Sequence, residues 1–139
     1  MAEIFLRRTL SGLAADDAEA SDYLRKIPIG VTLCCKVRKA RSVPQLRYYF
    51  ALCELCATNS DVFQTKDQVD QFLRMEAGHV DLISVGGTVY KLPRSLSFTK
   101  LSQDEWSAFL MRARDAVVQK ILPGVAMPEL EEEIARMAA

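Results

Sequence analysis

The residues of this chain whose types and spacing could do chemistry lie between Lys36 and Tyr48. Lys36, Arg38, Lys39, Arg41 and Arg47 fall close together, and Tyr48 follows directly. No acidic residue stands between Asp22 and Glu54, although the whole chain balances 18 basic against 18 acidic side chains. Cations gathered where a strand ends and a helix begins make a place for anions. The guanidinium and ammonium groups supply charge, and the free N–H groups of a first helical turn supply oriented donors. Tyr48 beside them could stack on a base, which gives single strands a sequence-tolerant grip. The competing reading is a solvated rim of charge with Tyr48 in the core, the usual fate of a charge run.

Other constellations carry less. Cys34 and Cys35 are adjacent on an expected strand, so their side chains point to opposite faces and do not share a metal. Cys53 and Cys56 sit mid-helix among Phe50, Leu52 and Leu55, away from the helix N-terminus that would stabilise a thiolate. They read as small buried hydrophobes, with a zinc or redox pair as the rival. His79, the only histidine, follows Gly78 at a helix end and has a capping or surface role. Asp16-Asp17 and Asp104-Glu105 are carboxylate pairs, but both open helices, where the dipole accounts for them. Gly86-Gly87 lacks the flanking pattern of a phosphate loop. No catalytic set can be assembled, so no enzyme, metal or cofactor is expected.

The elements that must position the basic segment follow from periodicity and caps. Residues 3–9 read as a strand, Gly12 through Asp16 as a loop, and residues 17–27 as a helix capped by Asp17 with Ala20, Tyr23, Leu24 and Ile27 on one face. Residues 31–39 alternate, which predicts a strand with Val31, Leu33, Cys35 and Val37 toward a core and Lys36 and Arg38 on the solvated face. Ser42-Val-Pro-Gln45 fits a capping box that opens a helix from Leu46 to Thr58. That helix is apolar nearly all round, with Arg47, Ala51, Glu54 and Thr58 as a narrow polar stripe. Thr65-Lys-Asp-Gln68 opens the next helix, which ends at Gly78. Val80–Val85 and Thr88–Leu92 flank Gly86-Gly87 as a hairpin. Leu96 and Phe98 continue extended. Ser102-Gln-Asp-Glu105 opens a helix to about Ile121, with Leu101 and Trp106 at staple positions. Pro128 to Met137 forms a short acidic helix, peripheral or at a subunit contact.

This order predicts an α+β fold: a mostly antiparallel small sheet with a central buried helix and flanking helices. At 139 residues the chain is read as one domain over residues 1–125, followed by an acidic helix or tail over 126–139. No apolar run reaches the roughly 18 residues of a membrane span, and the N-terminus lacks the order of a signal peptide. A cytoplasmic protein without a membrane partner is expected. Zero net charge excludes binding driven by total positive charge, as in a histone-like protein, but not a local basic surface.

Two resemblances bear on function. Arg41-Ser42-x-x-Gln45-x-Arg47-x-x-Phe50-Ala51-Leu52 resembles the strand-to-helix segment of the phage NinB/Orf recombination proteins, with Phe50 where Trp is common and Leu46 where a polar residue is common. Ser95-Leu-Ser-Phe98-Thr-Lys100, then Glu105-Trp106-x-x-Phe109, Arg112 and Leu122-Pro-Gly124, is similar to a phage and prophage family of unknown function over almost the whole chain. The first resemblance implies a small dimeric accessory protein of phage recombination in the bacterial cytoplasm, binding single-stranded DNA and a single-strand-binding protein. Lys36, Arg38, Lys39, Arg41 and Arg47 would then neutralise phosphate and Tyr48 would stack. The alternative is a phage host-takeover or inhibitor protein, such as an anti-defence factor. It would act by protein–protein contact through the basic patch or the acidic Glu129–Glu133 helix.

Overall fold

The computed structural model describes residues 2–39, 43–96 and 101–138. Two compact units divide the chain, Met1–Val37 and Arg38–Ala139. The fold is α+β, with one two-stranded antiparallel sheet in each unit.

In the first unit β1 (Leu6–Thr9) pairs with β2 (Gly12–Ala15), placing Leu6 opposite Ala15 and Thr9 opposite Gly12. The expected strand is present but short, and the expected loop is its partner. Gly12, Ala14 and Ala15 have little β-propensity of their own, so pairing across the Leu10-Ser11 turn makes this strand. Asp17 caps α1 (Ala18–Arg25) as anticipated: its Oδ1 accepts the Ala20 N–H at 2.8 Å. Ala20 is buried, but Tyr23 and Leu24 of the expected apolar face remain more than a third exposed.

The strand expected over residues 31–39 is not formed. These residues have no regular secondary structure, and every one is exposed, Val37 at 81%. Alternation records that one side of a segment is fit to be covered; it does not supply the neighbour that covers it.

The second unit is built on α2 (Val43–Thr58), with α3 (Lys66–Glu76) and α5 (Met127–Ala138) packed against it and α4 (Gln103–Ala116) against α3. α2 buries Leu46, Tyr49, Ala51, Leu52, Cys53 and Cys56. Ala51 therefore leaves the expected polar stripe and joins the core, as a methyl side chain does at no desolvation cost. Tyr49 lies within 6 Å, ring to ring, of Phe50, Trp106 and Phe109, in the tilted and edge-on geometries aromatic rings prefer.

Local signals account for most element ends here. Thr65 Oγ1 accepts the Gln68 N–H at 3.3 Å, and Gln68 Oε1 reaches back to the N–H of Gln64. Ser102 Oγ accepts the Glu105 N–H at 3.2 Å. Gly78, at φ +73°, turns the chain at the end of α3. His79 N–H then bonds the Arg74 carbonyl and Gly78 N–H the Met75 carbonyl, the two bonds of a Schellman end. β3 (Val80–Val85) and β4 (Thr88–Pro93) form the expected hairpin, with Gly86 and Gly87 both at positive φ as a two-residue primed turn requires. After Ala116 the chain makes a π-helical turn over Val117–Ile121, closed by Leu122 N–H to the Val117 carbonyl at 2.7 Å.

Two expectations change. His79 is 5% exposed, with its ring against Phe109 and Nε2 3.0 Å from the Ser95 carbonyl. It is a core residue with a satisfied ring nitrogen, and the cap comes from its backbone. α5 is not set off from the second unit after residue 125: Leu130 and Ile134 are fully buried, which docks the acidic helix through its apolar stripe. Residues 40–42 and 97–100 lie outside the described residues, and with them Arg41, the Ser42 cap and Phe98.

Candidate nucleic-acid interface

The basic segment straddles the boundary between the two units. Lys36 is the penultimate residue of the first unit and is exposed; Arg38 and Lys39 begin the second and are exposed too. Arg47 lies partly exposed in the second turn of α2. Arg38, Lys39, Arg47 and Tyr48 thus belong to one unit, whereas Lys36 is tied to them by chain continuity. The Arg38 guanidinium lies over the Phe50 ring, 5.6 Å from its centroid. A cation held on a ring face has part of its water already displaced. α2 has no acidic residue in its first turn, so no carboxylate of its own offsets the positive end of its dipole.

Tyr48 is engaged by residues far from it in the chain. Its hydroxyl donates to Glu131 Oε1 of α5 at 3.1 Å, and the Arg114 guanidinium of α4 lies over its ring at 5.9 Å. Arg114 in turn donates to the same Glu131 oxygen at 2.5 Å. Burial pushes the Tyr48 hydroxyl above the usual phenol range, with the neighbouring Glu131 carboxylate adding to the rise. One face of the ring is therefore occupied by a cation and its rim is tethered, so a stacking role would require Arg114 to move. Glu132 and Glu133, which could have met the basic segment, pair instead with Arg136 on their own helix.

One position further along α2, Tyr49 points into the core. Its hydroxyl donates to Asp70 Oδ1 at 2.6 Å, and Arg74 grips the same carboxylate through Nε at 2.9 Å and Nη2 at 2.6 Å. The remaining arm of Arg74 donates to the Arg94 carbonyl at 3.2 Å. This network engages both oxygens of its carboxylate and anchors α2 to α3.

The buried cysteines are not nucleophiles. Burial holds the Cys53 thiol well above its ordinary range and pushes that of Cys56 up to about 12, so both are protonated at neutral pH. Cys34 and Cys35 are exposed. Among the described residues no group of three or more His, Cys, Asp or Glu could hold a metal ion, and no helix is long and apolar enough to cross a membrane.

Sequence reasoning missed Arg114 and placed Glu131 only on an acidic helix, not against Tyr48. Glu131 lies 83 positions from Tyr48, and no pattern local to either residue announces the contact. Compared with known proteins, the chain matches no family model, no curated protein and no solved structure.

Proposed function

We propose that this chain is a phage-type accessory protein of DNA recombination or DNA metabolism. In this reading it binds single-stranded DNA, or a DNA-processing partner, through the basic segment from Lys36 to Arg47. It is a binding protein rather than an enzyme, and it acts as a homodimer in the cytoplasm of a bacterial host. The observation that carries the reading is a run of exposed cations, Lys36, Arg38 and Lys39, leading into a helix with no acid in its first turn. The stretch between Asp22 and Glu54 holds no carboxylate. Contacts of this kind go to phosphate, so they fix position and carry little base preference.

The test is titration of fluorescent single- and double-stranded oligonucleotides across salt concentrations, using the wild-type chain and a Lys36→Ala/Arg38→Ala/Arg41→Ala variant. Loss of three phosphate contacts lowers the slope of log affinity against log salt by about 2 for a single strand. A wild-type slope near zero, or unchanged binding by the variant at low salt, overturns the reading.

A second reading, protein–protein contact without DNA, is favoured by the apolar side chains that β3 and β4 expose. Recovery of a defined host protein after nuclease treatment, together with no oligonucleotide binding, would select it.

A further inference from the structure

The β3–β4 hairpin is unusual in exposing apolar side chains on both of its faces. Leu82 is 64% exposed and Val89 63% on one face, and Tyr90 is 52% exposed beside Ile83 on the other. Among the described residues neither long edge is paired with a further strand. A lone two-stranded hairpin is marginal in water, and strands with two apolar faces belong to larger sheets.

The two edges differ. Val85 and Thr88 flank the turn, so that pair and every second one after it, Ile83 with Tyr90 and Asp81 with Leu92, exchange bonds across the hairpin. Arg94 N–H to the His79 carbonyl at 2.9 Å continues the series. The backbone groups of Val80, Leu82 and Ser84 therefore point outward from β3, and those of Val89, Lys91 and Pro93 outward from β4. Pro93 has no N–H and Lys91 carries charge, two devices that blunt an edge. Among the described residues the one outward group engaged on β3 is the Val80 carbonyl, which accepts from Arg94 Nη2 at 3.1 Å.

We propose that the β3 edge is an interaction surface for a second copy of this chain, pairing antiparallel with its own β3 about a two-fold axis at Leu82. This goes beyond the nucleic-acid reading and does not depend on it. The outward positions are symmetric about Leu82, so the edge is its own complement. The two Leu82 residues exchange N–H and carbonyl bonds, and Val80 of each copy does the same with Ser84 of the other, the Val80 carbonyl accepting the Ser84 N–H through its second lone pair beside Arg94 Nη2. Arg94 stays where it is. In this register Asp81 falls opposite Ile83 rather than opposite its own counterpart, so no like charges meet. Asp81 also keeps its ion pair with Arg94 at 3.0 Å. The axis runs perpendicular to the sheet, so each apolar face continues into the same face of the second copy, with Leu82 against Leu82. One strand pair buries less than the roughly 800 Å² per partner of a stable interface, which makes the dimer dissociate on dilution.

The experiment combines sedimentation over a concentration series with amide hydrogen exchange of the full chain. The expected result is a reversible monomer–dimer equilibrium in which the Leu82 and Ser84 amides exchange at least tenfold more slowly in the dimer. The Ile83 and Val85 amides, bonded to β4, exchange slowly in both states. Leu82→Lys and Ser84→Pro abolish the dimer, whereas Lys91→Ala on the opposite edge leaves it intact. A monomer at every concentration overturns the proposal. So does a dimer whose Leu82 and Ser84 amides exchange freely, which would use another surface. Protection of those amides that persists in the monomer overturns it as well, because a segment of the same chain would then hold the edge.

Discussion

Helix α2 and the β3–β4 hairpin are comparably apolar in sequence and opposite in environment. α2 buries six of its side chains, and its one buried phenol finds a carboxylate. Both hairpin strands are exposed along almost their whole length. A helix satisfies its backbone internally and needs only side-chain neighbours, which α3 and α5 provide. A strand satisfies half its backbone through one partner and leaves the other half open. The same apolar content thus makes a core in one element and an unfilled edge in the other.

Substitutions should separate the two regions by energy. Trp106→Ala, which removes a fully buried ring packed on Tyr49 and Phe109, should cost about 4 kcal/mol in denaturant unfolding. Asp70→Ala leaves Arg74 and the Tyr49 hydroxyl without their shared acceptor and should cost about 3 kcal/mol. A loss below about 1 kcal/mol in either variant would mean that the α2 region is no better packed than the hairpin.

The thiols sharpen the contrast by pH. Burial raises Cys53 and Cys56, so the folded state holds those protons more tightly than the unfolded chain. Their contribution is fully present below the ordinary thiol value of about 8.5 and is lost as pH climbs toward about 12. Unfolding free energy should therefore fall over that alkaline window, less steeply in Cys56→Ala. In the native protein at neutral pH, a thiol reagent should modify Cys34 and Cys35 quickly and reach Cys53 and Cys56 only after denaturation. The smallest effect is expected at the hairpin surface. Val89→Thr should change monomer stability by no more than about 0.5 kcal/mol, and a larger loss would mean that this face is covered in solution.

Much of the second unit was legible in the sequence. The caps at Thr65 and Ser102, the Gly78 stop and the Gly86-Gly87 turn are all where their residues predict. The candidate site was less so. Lys36, Arg38 and Lys39 are exposed as a basic rim should be, but Tyr48 is held by Glu131 and Arg114, and the strand meant to present Lys36 and Arg38 is absent. His79 was misplaced for a related reason. Its position after Gly78 correctly indicates a helix end, but its burial depends on Phe109 and Ser95, far along the chain.

What the sequence alone determined are the features set within about four residues: where helices start and stop, how the hairpin turns, and that Asp17, Thr65 and Ser102 supply cap oxygens. These bonds close over such short loops that little chain entropy opposes them. Only the tertiary structure decided which apolar faces find neighbours. It sent Tyr49 to Asp70 and Tyr48 to Glu131, docked the acidic α5 on α2, and left Val31 to Val37 and both faces of the hairpin exposed. Burial is a property of pairs of surfaces, and a periodic sequence specifies only one member of each pair.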